Sequence, residues 1–122
     1  MTGQNQNQNS ATQLLIEEAD KKKMQGEHLE AIRICEKVLG KDLDCIEAYE
    51  EIGDNYLSLR QYEKAKKALD MALKIDVRSA NANYLLGFAH SALGAWQNSI
   101  EYLERADEIQ PNHPEILRCM GW

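Results

Sequence analysis

From about residue 11 the apolar residues of this chain recur at helical spacing. Between Cys45 and Leu59, Tyr49, Ile52, Gly53, Tyr56 and Leu59 follow at steps of three and four. That spacing places them on one face of an α-helix. Arg60-Gln61 breaks the pattern, and Ala65, Ala68, Leu69, Ala72, Leu73 and Ile75 predict a second helix. Asp76-Val77-Arg78-Ser79 is the next break, and Ser79 is placed to cap the helix that follows. No long stretch alternates with the period of a β-strand, and proline occurs only at Pro111 and Pro114. The prediction is an all-α chain of helix pairs joined by short turns.

The pattern repeats with a period of 34 residues. The stretches beginning at Gly26, Arg60 and Gly94 are in register. Leu86, Gly87 and His90 stand where Ile52, Gly53 and Tyr56 stand one unit earlier. Gly94 predicts a turn through the left-handed region, which glycine enters without steric cost. Trp96, Ile100, Leu103 and Ala106 line the second helix of that unit, and Pro111 lies just past its end. The first unit is weaker: Ala31, Cys35 and Val38 mark its second helix, but Glu18 and Lys22 occupy positions that are Ile52 and Tyr56 in the next unit. The opening MTGQNQNQNS offers almost nothing to bury and is expected to be disordered.

The registers resemble the tetratricopeptide repeat, whose pattern is W-x2-L-G-x2-Y, then A-x3-F, then P. Tyr49, Ile52, Gly53 and Tyr56 followed by Ala65 and Leu69 supply it in one unit, and Leu86, Gly87, Ser99, Leu103 and Pro111 in the next. The resemblance covers residues 11–122. It implies a right-handed α-solenoid of antiparallel helix pairs: a tail over 1–10, repeats over 11–45, 46–79 and 80–113, and a capping helix or truncated fourth repeat over 114–122. Gly53 and Gly87 are expected at close helix–helix approaches. The chain reads either as a piece of a longer protein or as a small protein that pairs with itself through its C-terminal end.

Composition narrows the function. The net charge of −6 argues against a nucleic-acid backbone as ligand. The basic runs Lys21-Lys22-Lys23 and Lys64-Ala65-Lys66-Lys67 are flanked by acids and read as solvated helix faces. The longest apolar stretch is too short to span a bilayer. Cys35, Cys45 and Cys119 are odd in number and lack metal-motif spacing, which suits a reducing, cytoplasmic setting. Cys35 falls at a core position, while Cys45 falls in a turn and is expected to be exposed. His28 and His90 occupy positions that are aromatic elsewhere and read as packing residues. No catalytic, metal or cofactor motif emerges, so the expectation is a binding module rather than an enzyme.

In the resembled family the first helix of each repeat lines a concave groove that takes an extended peptide or a helix. Helix geometry then nominates Glu47, Glu50, Glu51 and Asp54 in the second unit and Glu17 and Asp20 in the first, acids with no base among them. In the third unit the same columns carry Asn81, Tyr84, Leu85 and Phe88, with Trp122 extending them. The expected groove is acidic at one end and apolar at the other, suited to a protein or peptide with basic and apolar groups. Some family members clamp the C-terminal carboxylate of chaperones with Lys, Asn and Arg. Ile16, Asp20, Glu51, Asn81 and Leu85 stand at those sites here, so the acidic chaperone tail is not the expected partner.

Overall fold

The computed structural model describes the backbone of residues 2–111 and the side chains of residues 11–111. Among the described residues six α-helices follow one another: α1 (Thr2–Met24), α2 (His28–Lys41), α3 (Ile46–Ser58), α4 (Tyr62–Ile75), α5 (Ala80–Ala92) and α6 (Trp96–Ile109). Each helix packs on the next, and the first helices of neighbouring pairs, α1 with α3 and α3 with α5, also lie side by side. A row of first helices therefore forms one face of the stack. Backbone helix runs through residues 2–10, where a disordered tail is expected from composition. Once the packed part of α1 is formed, each further turn adds hydrogen bonds without a new nucleation cost.

Two kinds of turn punctuate the chain. Within each pair the first helix closes with the same two bonds. In the middle pair the Gln61 amide donates to the Tyr56 carbonyl at 2.9 Å and the Arg60 amide to the Leu57 carbonyl at 3.0 Å. This is a Schellman motif, which needs a left-handed residue after the helix. Gly26 and Gly94 supply it with φ of 81°, but the middle pair uses Arg60 at φ 62°. Between pairs the turn is built by aspartate. The Asp42 and Asp76 carboxylates each accept from the amide two residues on, at 3.0 Å. After the second of these turns the Ser79 hydroxyl accepts from the Ala82 amide at 3.0 Å, capping α5.

The core runs between the helices of each pair and on from each pair into the next. A Cβ on Gly53 would stand 2.6 Å from Leu69 Cγ, and one on Gly87 2.7 Å from Leu103 Cγ. The glycines thus admit a leucine side chain against the first-helix backbone, a closer account than the backbone contact expected from sequence. The first pair reaches the same end differently. There the registers of glycine and leucine hold Ala19 and Cys35, both fully buried in one cluster. An added methyl on one helix accompanies a smaller side chain on the other. The Ser99 hydroxyl donates to the Gly87 carbonyl at 2.8 Å, adding a polar tie to the third pair.

Candidate functional site

The row formed by α1, α3 and α5 carries two adjoining hollows. The larger, about 510 Å³, is walled by Glu17 and Asp20 from α1, Glu47, Glu50 and Glu51 from α3, and Asn81 from α5. Gln13, Ile16 and Lys21 complete it. The smaller, about 260 Å³, is walled by Asn81, Tyr84, Leu85 and Phe88 from α5 together with Asp54, Leu57 and Ser58 from α3. All the nominated groove residues except Trp122 thus line one of the two, with Asn81 shared. Trp122 and Cys119 lie outside the described residues.

Lys23 changes the electrostatics of the acidic part. Its run reads from sequence as solvated, yet its side chain is only 20% exposed. From the last turn of α1 its Nζ reaches Glu51 Oε1 at 2.9 Å and Asp54 Oδ2 at 3.0 Å on α3, and Asp20 Oδ1 at 3.3 Å on its own helix. The acids do have a base among them. Burial alone pushes the Lys23 pKa down, but hydrogen bonds to Glu51 and Asp54 and their charges outweigh it, so the pKa is raised. Glu51 is also raised: burial dominates, and Lys23 offsets only part of it because Asp20 and Asp54 share the same cation and repel the carboxylate. The second oxygen of Glu51, Oε2, is buried with no hydrogen-bond partner among the described residues.

The remaining groove residues divide by role. Glu50 accepts from the Ser79 hydroxyl and, at 3.4 Å, from the Asn81 amide. It therefore braces the turn before α5 as well as lining the groove. Glu17 and Glu47 are exposed acids. Leu85 does not stand out on the surface as its column suggested. It is 7% exposed and packs in a cluster with Leu57, Ala65, Leu69, Leu86 and Ala89, because α3 covers it. Phe88 is 42% exposed, an aromatic ring held open on the groove wall.

Among the contributors that sequence reasoning missed are Lys23 and Leu57. Both fall at one register, 34 residues apart, and Lys23 lies two turns beyond Ile16 on the groove side of α1. That alignment was the available signal.

Other candidates for chemistry resolve into packing. Cys45 is 8% exposed, not an open thiol, since it precedes α3 and turns into the core of the first two pairs. Burial raises its pKa, and burial also pushes the Cys35 thiol up to about 12. Neither is a ready thiolate. His28 Nδ1 and the Asn55 side-chain oxygen are 2.9 Å apart, linking α2 to α3. The His90 ring stacks on Tyr102 with centroids 5.2 Å apart. Among the described residues no group of histidine, cysteine and carboxylate side chains suits a metal ion, and no helix is long and apolar enough to cross a membrane.

These features define an α-solenoid of helical hairpins, held together by small residues between helices and opened on one side into a groove. A tetratricopeptide repeat family profile matches residues 46–76 and 80–113, more than half of the chain. The chain belongs to the tetratricopeptide repeat family. Anaphase-promoting complex subunit 3 of Schizosaccharomyces pombe is 30% identical over 98 residues, which are 80% of this chain and 15% of that protein. Tetratricopeptide repeat protein 12 of Mus musculus is 30% identical over 97 residues, 80% of this chain and 14% of that protein. The chain spans less than a sixth of either relative's length. Among solved structures, the first repeat domain of Spaghetti (RPAP3), bound to the HSP90 peptide SRMEEVD, superposes with a TM-score of 0.83. The two are 23% identical, over 88% of this chain and 85% of that one, a likeness of fold alone.

Proposed function

We propose that the chain is a non-catalytic protein-interaction module whose groove takes an extended peptide or a helix carrying basic and apolar side chains. The observation that carries this reading is the pair of adjoining hollows, acid-walled at one end and lined by Tyr84, Leu85 and Phe88 at the other. An acidic wall steers and orients a cationic partner, while a desolvated aromatic contact holds it. The free, buried Cys35 and Cys45 suit a cytoplasmic setting. Acidic chaperone tails fit poorly, since Asp20 and Glu51 would face their carboxylates and Leu85 offers no donor. The HSP90 peptide bound by the Spaghetti domain is therefore not proposed for this chain.

Calorimetry with an amidated peptide alternating arginine and leucine tests the reading, with SRMEEVD as the comparison. The basic peptide is expected to bind and the acidic one not to. Phe88→Ala is expected to weaken binding by about 2 kcal/mol while leaving the melting temperature nearly unchanged. Micromolar binding of SRMEEVD, or a large fall in melting temperature with binding intact, defeats the assignment.

A second reading, a structural or self-associating solenoid segment, is favoured by α6. Ile32 on α2 is 4% exposed beneath the next pair, whereas Ile100 at the same register of α6 is 46% exposed and Trp96 64%. Sedimentation over a concentration range, on wild type and Trp96→Ala, separates the two: self-association that the substitution abolishes supports the second.

A further inference from the structure

We infer that Lys23 is a specificity-determining residue of the groove, a resident cation that competes with a partner's basic side chain for Glu51 and Asp54. The inference rests on the groove reading above and adds what limits its affinity for lysine and arginine.

The carboxylates that Lys23 engages are the groove's own walls. Asp20 and Glu51 line the larger hollow, and Asp54 lines the smaller. With Lys23 drawn to within 3.3 Å of all three, one cation from inside the chain answers part of their charge and occupies the side of Glu51 and Asp54 that a partner's cation would need. Glu50 is committed to Ser79 and Asn81. That leaves Glu17 and Glu47 as the acids of the larger hollow without such a partner among the described residues, and Lys21 lines the same hollow. The arrangement also demonstrates what the centre of the groove accepts. An ammonium on a flexible stem settles there, held by carboxylates from two helices.

The fold itself does not require a cation at this register. Leu57 and Ser91 stand at the equivalent positions of the next two pairs. Nor does Lys23 exhaust the acceptors it meets, because Glu51 Oε2 remains buried without a partner among the described residues. A guanidinium has more donors than an ammonium and presents them as a fork, so it suits a pair of carboxylates better than Lys23 does. Removing Lys23 would leave Glu51 and Asp54 as an unoccupied acidic pair between the two hollows. The chemical class selected there is a guanidinium or ammonium group followed along the partner by an apolar side chain.

The experiment measures binding of the same amidated arginine–leucine peptide to wild type, Lys23→Met and Lys23→Arg by fluorescence anisotropy at two salt concentrations. Lys23→Met is expected to tighten binding by about tenfold and to steepen its dependence on salt. Lys23→Arg, which keeps a resident cation and holds the two carboxylates at least as firmly, is expected to bind the peptide no more tightly than wild type. Because Lys23→Met leaves the largely buried Glu51 without its cation, it is also made in an Arg60→Gly background, a change expected to stabilise the fold and lying outside both hollows. A folded Lys23→Met protein that binds the peptide no better than wild type overturns the inference while the groove reading stands. Failure to fold in both backgrounds makes Lys23 a structural residue and overturns it too. If neither wild type nor the variants bind the peptide, the groove reading falls, and this inference with it.

Discussion

The two junctions between helix pairs use the same three backbone positions for opposite chemistry. At the first, Lys23 of one pair meets Glu51 and Asp54 of the next. At the second, 34 residues on, the positions hold Leu57, Leu85 and Phe88, with Leu57 and Leu85 in one core cluster. The backbone accommodates either set, so the choice is one of side-chain pairing rather than of fold. The two groove ends inherit that choice. The acidic end arises where a junction is ionic, and the apolar end where a junction is hydrophobic. An ionic junction also costs more to bury, which is why the Glu51 pKa is raised even beside a lysine.

Mixing the two chemistries should break the comparison most visibly. Leu85→Glu places a carboxylate in the apolar junction with Leu57 for a neighbour, and is expected to lower stability by about 3 kcal/mol or more. Adding Leu57→Lys rebuilds the ionic pairing, so the double variant should be more stable than the two single losses sum to. Urea denaturation of all four proteins gives the coupling directly. Additive losses would mean the two positions do not meet as a junction.

Next in size is the packing contrast between the first and third pairs. Gly87→Ala drives a methyl into Leu103 Cγ and towards the Ser99 carbonyl at 3.3 Å, with an expected loss of about 1–3 kcal/mol. Leu103→Cys in the same chain copies the Ala19–Cys35 arrangement and should recover part of it. If thermal unfolding shows the double variant to be worse than both singles, the two pairs do not exchange their packing.

The middle turn offers a stabilising change of about 1 kcal/mol. Arg60 holds a left-handed conformation that costs a residue with a Cβ roughly that much, while the matching turns use glycine. Arg60→Gly should therefore raise the denaturation midpoint. An unchanged or lower midpoint would show that the Arg60 side chain contributes more than its backbone costs.

The smallest effect is a pH dependence. The folded pKa of Glu51 lies above its ordinary value of 4.5, so the folded chain holds this proton more tightly than the unfolded chain does. Its contribution to stability therefore declines as pH rises from 4.5 towards the folded pKa. Glu51→Gln should flatten that part of the stability profile. A chemical-denaturation series over pH that shows identical slopes for the two proteins would assign the burial of Glu51 no thermodynamic weight.

Much of the architecture follows from the sequence alone, because its causes are local or periodic. Tyr49, Ile52 and Tyr56 fix a helix face by spacing, Ser79 offers a hydroxyl where a helix begins, and Gly94 marks a left-handed turn whatever surrounds it. The 34-residue register identifies which side chains share a column, and with it the acidic and apolar ends of the groove. Only the tertiary structure decided how those columns are used. The Leu85 column faces the groove in helix geometry, but the neighbouring α3 determines that Leu85 is buried while Phe88, three residues on, stays open. Cys45 belongs to a turn by sequence and to the core by packing. Lys23 sits in a run of three lysines that look alike in sequence, and its reach to carboxylates 28 and 31 residues away is set by how α1 lies against α3. A long flexible side chain carries no periodic signal of where its charge comes to rest, since that depends on which acids the packing of other helices brings within its length.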